Sequence, residues 1–164
     1  DFKAKLAGGG ARANQFKPTM PFPGYAQVGG EIEELAFLCT GASIPAMTVG
    51  TVPVSFRGRT IKLAGDRTFA DFTITVLNDT NFKLRNAFER WQNGINNMTD
   101  NEGLTNPADY QVDAFLDHLD RNGNTIKSYT TTVSDIPLDY AEKTEVETFT
   151  VTLSYQFFES NSTT

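Results

Sequence analysis

Apolar and polar residues alternate most cleanly over 146–158. Phe149, Val151, Leu153, Tyr155 and Phe157 fall on one side of an extended chain, and Thr148, Thr150, Thr152, Ser154 and Gln156 on the other. The same period of two recurs over 68–78, where Ala70, Phe72, Ile74 and Val76 oppose Asp71, Thr73 and Thr75. Both stretches predict strands with one wet face. The period then changes. Leu84, Phe88, Trp91 and Ile95 stand at i, i+4, i+7 and i+11, with Lys83, Arg85, Glu89 and Arg90 off the stripe, which predicts an amphipathic helix over about 80–97. Asn78-Asp79-Thr80 offers side-chain acceptors to the first turn, and Gly94 with Asn96-Asn97 ends it. One such helix cannot bury its stripe alone, so it must cover a sheet.

The remaining elements follow from punctuation. A strand is expected at 15–22, limited by Pro18, Pro21 and Pro23, then a turn at Gly29-Gly30 and a strand from Leu35 to Thr40. Strands at 109–119 and 125–133 flank Asp120-Arg121-Asn122-Gly123, whose Asn-Gly pair predicts a hairpin. Gly41 to Gly65 is different in kind. It holds Pro45, Pro53 and several glycines, yet also Ile44, Met47, Val49, Val52, Val54, Phe56, Ile61 and Leu63. That composition fits equally a pair of core strands or a surface awaiting a partner. The organisation expected is a flexible arm at 1–14 around Gly8-Gly9-Gly10, a single β domain at 15–158 and a flexible tail at 159–164.

With 164 residues the chain fits one domain able to bury a real core, and its 21 Thr and 13 Phe favour β structure. A net charge of −6 argues against a protein that grips nucleic acid phosphates, without excluding a surface that DNA passes. No run of about 18 apolar residues predicts a membrane-spanning helix. A single cysteine, Cys39, allows no internal disulfide and suggests a reducing compartment.

The chemistry of a reaction centre is thin. His118 is the one histidine and falls mid-strand, with no nucleophile motif nearby. One His and one Cys cannot make a zinc site. Gly8-Gly9-Gly10-Ala11-Arg12-Ala13 has the loose dinucleotide spacing but no strand before it. Asp120-Arg121-Asn122-Gly123-Asn124 suggests a calcium loop, but Thr125 and Thr131 occupy the positions that need Gly and an acid, so a hairpin turn is expected. Neither enzyme activity nor any cofactor or metal is expected.

One run carries more information. Ala64-Gly65-Asp66-Arg67-Thr68-Phe69-Ala70-Asp71-Phe72-Thr73-Ile74-Thr75-Val76-Leu77-Asn78-Asp79 resembles the signature of the tail tube proteins of contractile-tailed bacteriophages (myovirus type). Phe37-Leu38-Cys39-Thr40-Gly41-Ala42-Ser43-Ile44-Pro45-Ala46 is similar to that family's approach to its long loop. Phe88, Trp91 and Gln92 fit its helix, and Glu147 to Leu153 its last strand. The matches are in order over roughly 14–158.

The resemblance implies a mainly β fold, a barrel or sandwich with one flanking helix, related to the tube proteins of type VI secretion. It implies rings of six subunits stacked head to tail around a channel for DNA, inside a sheath, with baseplate and tail terminator proteins as further partners. Ile44, Pro45, Met47 and Val49 are the expected apolar contacts between subunits, and Arg57, Arg59, Asp66 and Arg67 the polar ones. Asp113 and Asp117, on alternate positions of one strand, are the expected acidic groups of the channel. Which face lines that channel stays open at this level. The alternatives are the tube of an injection or secretion device with the same fold, and a monomeric ligand-binding β-barrel.

Overall fold

The computed structural model describes residues 15–141 and 147–163, so the expected N-terminal arm lies outside the described residues. In chain order the elements are β1 (Phe16–Thr19), α1 (Glu31–Leu38), β2 (Cys39–Ala42), β3 (Met47–Phe56), β4 (Arg59–Phe69), β5 (Phe72–Leu77), α2 (Lys83–Ile95), a single turn α3 (Pro107–Tyr110), β6 (Val112–Leu119), β7 (Thr125–Asp135), β8 (Leu138–Ala141) and β9 (Thr148–Ser160).

Seven strands form one antiparallel sheet in the order β1-β6-β7-β9-β5-β2, with β8 also paired to β9. The sheet curls into a nearly closed barrel whose open edges are β1 and β2. α1 touches both β1 and β5. Inside, Phe72, Ile74 and Val76 of β5 meet Phe149, Val151 and Leu153 of β9, with Ala114, Leu116 and Val133 from the other half of the sheet. Side chains fill this interior, as expected of a small barrel. The α2 stripe closes one side. Leu84, Phe88 and Trp91 are buried there, with Phe22 edge-on to both Phe88 and Trp91 at centroid distances of 4.9 and 5.7 Å. The indole Nε1–H of Trp91 donates to the Tyr110 carbonyl at 2.8 Å, so burial leaves it no unmet donor.

The structure corrects several expectations. Leu35 to Thr40 is not one strand: Glu31–Leu38 is helical and only Cys39 starts β2. The fold therefore has α1 as well as the one flanking helix foreseen. The helix forms because the Glu31 carboxylate accepts from the N–H groups of Val28 and Gly29, at 2.5 and 2.8 Å, and three acids occupy a first turn whose dipole favours negative charge. Lys83 of α2 then bridges to Glu34 at 2.8 Å, joining the helices.

The strand expected over 68–78 breaks at Ala70-Asp71, and Ala70 is exposed. The cap of α2 comes from Asp79, whose Oδ1 accepts from the N–H groups of Asn81 and Lys83 at 3.0 and 3.3 Å. In β9 the alternation fails near its end. Tyr155 is half-buried, Phe157 is 54% exposed and Phe158 packs inward, because register shifts where β7 pairs with β9 move the pleat by one residue. The strand also continues to a buried Ser160, two residues into the segment expected to be a tail.

Candidate assembly surface

Gly41 to Gly65 is not a pair of core strands, because its strands lie at the surface. It is mostly a pair of strands, β3 and β4, forming a separate two-stranded sheet, and all ten residues of β3 are exposed. At about 3.3 Å per residue the ten residues of β3 make the hairpin some 33 Å long. Its turn is Arg57-Gly58, with φ 47° and 77°. Positive φ at both central residues is the two-residue turn whose twist matches a hairpin.

The register reveals a change of face. Val49 pairs with Arg67 and Thr51 with Ala64, so β4 carries one extra residue around Gly65-Asp66. A Cβ on Gly65 would lie 3.0 Å from Val52 and 3.3 Å from the Gly50 carbonyl, so these glycines allow the two backbones their close approach. By alternation along β3, Met47 and Val49 share one side with Thr51, Pro53 and Ser55. Val52, Val54 and Phe56 share the other with their partners Leu63, Ile61 and Arg59. Those five apolar side chains are between 42% and 57% exposed, forming a continuous apolar face that the described residues leave open.

The root of the hairpin is anchored. Phe69, opposite Met47, packs on Phe158 and Tyr155 at 5.4 and 6.4 Å. The Tyr155 hydroxyl donates to the Ala70 carbonyl. Burial, and then the Asp71 charge, push that phenol up to about 12, so it stays a donor.

The expected contact residues divide accordingly. Ile44, Met47 and Val49 are exposed near the root, whereas Pro45 is buried in its own subunit beside Phe72, Leu116 and Phe158. Arg57 and Arg59 sit at the tip, the former over the Phe56 ring at 5.3 Å, and Asp66 and Arg67 lie at the bulge. Val52, Val54, Phe56, Ile61 and Leu63 lie in the same segment but are not among the expected contacts. Their signal was the alternation on both sides of Arg57-Gly58. Asp113 and Asp117 lie together on the outer side of β6, out of phase with the buried Ala114 and Leu116. Thr132 donates to Asp113 at 2.8 Å and Ser128 to Asp117 at 2.6 Å, which holds two carboxylates in a row of hydroxyls.

Among the described residues, His118 and Cys39 are not brought together with other reactive groups. His118 pairs with Phe16 in the β1–β6 ladder. The Cys39 thiol donates to the Gly41 carbonyl at 3.3 Å, and burial pushes it up to about 11, away from thiolate chemistry. Among the described residues no group of acids, His or Cys could hold a metal, and no helix is long and apolar enough to cross a membrane.

An anchored barrel, a long unsupported hairpin and a hydroxyl-lined acidic face are features of a protein that assembles, and comparison with known proteins agrees. The phage tail tube protein family matches residues 11–161. The chain belongs to that family. It is 31% identical to the tail tube protein gp19 of Enterobacteria phage T4, over 96% of both chains, and 28% identical to the tail tube protein of Serratia phage KSP90, over 94% of this chain and 92% of that one. Its fold is similar to that of a chain in the 6-fold symmetrised baseplate of the anti-feeding prophage, with TM-score 0.62 and 12% identity over 92% of this chain and 95% of that one. It is also similar to a chain in that prophage's tube-terminating cap, with TM-score 0.60 and 17% identity over 93% and 91%. A chain in the sheath–tube complex of an extracellular contractile injection system follows at TM-score 0.52, with 13% identity and 96% of both chains covered. The chain is thus a tail tube protein of contractile phages, a structural component of the virion tail.

Proposed function

We propose that six copies of this chain close into a ring, that rings stack head to tail, and that the tube so built carries the genome out of the particle. The observation that carries this reading is the β3–β4 hairpin. Five apolar side chains about half exposed forfeit roughly 1 kcal/mol each relative to full burial, a cost recovered when another molecule covers them. A further support is that β1 and β2 end the sheet among the described residues, so that these edges can pair between subunits and remove the hazard of exposed strands. Asp113 and Asp117 face the channel, where carboxylates among hydroxyls repel phosphate and let DNA slide without binding. The baseplate, sheath and terminator are the other partners, as in the assemblies that hold its fold relatives. Assembly takes place in the host cytoplasm, and the role is mechanical, with no reaction catalysed. The injection-device reading shares the fold, but the family relatives at 28–31% identity are phage proteins, which favours the phage tail.

Negative-stain electron microscopy of the purified chain at rising concentration tests the reading. Wild-type protein should give hollow rings or tubes. Arg57→Glu and Arg59→Glu should keep the wild-type melting curve and lose tube growth. Monomers at every concentration, or normal tubes from both variants, would overturn it.

A further inference from the structure

The hairpin and α1 occupy opposite ends of β5. β4 runs into the Phe72 end, whereas the Leu77 end leads to α2, against which α1 packs. α1 passes directly into β2, and Cys39 at the start of β2 pairs with Val76, again at the far end from the hairpin. The six residues of β5 separate the two features by about 20 Å.

α1 turns Glu31 and Leu35 inward, both buried. Its outward face is unusual for a surface helix. Phe37 is 88% exposed, Ile32 is 37% exposed, and Val28, just ahead of the helix, is 73% exposed. Glu33 is exposed among them. The helix carries three acids and no base. The hairpin has the opposite character: Arg57, Arg59, Lys62 and Arg67 against Asp66 alone, in a chain where acids outnumber bases 20 to 14. An apolar face with basic residues and an apolar face with acidic residues therefore sit at the two ends of one subunit.

We propose that the tip of the β3–β4 hairpin docks on the outward face of α1 in a second copy of this chain. Val52, Val54, Phe56, Ile61 and Leu63 cover Phe37, Ile32 and Val28, and Arg57 or Arg59 meets Glu33. The occupant is a second copy because the two surfaces complement each other in polarity and charge, and because within one subunit the hairpin leaves from the end of β5 opposite to α1. Donor and acceptor differ, so the contact is heterologous, and each added copy leaves one hairpin and one α1 face open for the next. This deepens the tube reading and rests on it.

The test uses the whole chain in two variants, Val54→Cys and Phe37→Cys, mixed in equal amounts, assembled, and treated with a short bis-maleimide. Wild type, with its shielded Cys39, and an Asn93→Cys variant on the polar side of α2 serve as controls. The expected result is a covalent dimer joining position 54 of one copy to position 37 of another, several-fold above the 54–93 product. Assemblies visible in the microscope without that excess would overturn the docking and leave the tube standing. No assemblies at any concentration would overturn both. Because Phe37→Cys removes part of the contact, a charge exchange gives a second measurement. Arg59→Glu and Glu33→Arg should each block growth and the double variant should restore it; two blocked singles with no recovery in the double would also overturn the docking.

Discussion

Replacing Glu31 by Gln isolates the interaction that starts α1. The carboxylate is buried, yet it accepts two backbone N–H groups, from Val28 at 2.5 Å and Gly29 at 2.8 Å. A hydrogen bond to a charged group contributes about 1.5–3 kcal/mol. Gln retains one oxygen for one of these donors but turns an amide N–H toward the other. The expected loss is about 2–3 kcal/mol at neutral pH, or a melting temperature lower by roughly 4–12 °C for a domain of this size. Urea unfolding of dilute, unassembled subunits measures it without a contribution from association. The pH dependence supplies an independent check. Burial alone raises the Glu31 pKa, but the N–H groups of Val28 and Gly29 and the nearby Lys83 charge outweigh it and hold it below its ordinary 4.5. A depressed folded-state value means the stabilisation is complete above the unfolded pKa and is lost as pH falls through the folded one. The gap between wild type and Glu31→Gln should therefore close in acid. A gap under about 0.5 kcal/mol at pH 7, or one that persists unchanged in acid, would refute the account.

Two glycines, Gly94 in the last turn of α2 and Gly103 in the loop after it, should respond differently to Ala. At Gly103 the new Cβ lies 1.9 Å from the Ile95 carbonyl oxygen, a backbone atom, so Gly103→Ala should displace the loop, break the Asn97–Glu102 bond and cost more than about 1 kcal/mol in urea unfolding. At Gly94 the obstacle is the Tyr25 ring, which is 40% exposed and can swing aside. Gly94→Ala should lose the Tyr25–Trp91 hydrogen bond, regain about 1 kcal/mol of helix propensity, and finish near wild type. Cys39, pushed up to about 11 by burial, should react with a disulfide reagent far more slowly at pH 8 than an unfolded control in urea; equal rates would show that β2 opens readily.

Where a side chain's environment is set by its immediate neighbours, the sequence alone was enough. The core faces of β5 and β9, the stripe Leu84-Phe88-Trp91, and the Asp120–Asn124 turn, where Asp120 accepts from the Asn122 and Asn124 amides at 2.7 and 2.9 Å, follow from periodicity and turn chemistry. The family could likewise be read from the run Ala64–Asp79. Tertiary structure decided the rest because the deciding contacts are distant in sequence. Glu31-Ile32-Glu33-Glu34-Leu35 is helical partly because Lys83, about fifty residues on, draws Glu34 to α2. Phe157 and Phe158 exchange faces because β9 must follow the shifts of β7. In β3 and β4 the alternation in the sequence gives strands, but only the fold decides that the described residues leave their apolar face open. Periodicity records which residues share a face, whereas exposure depends on what the rest of the chain places against it.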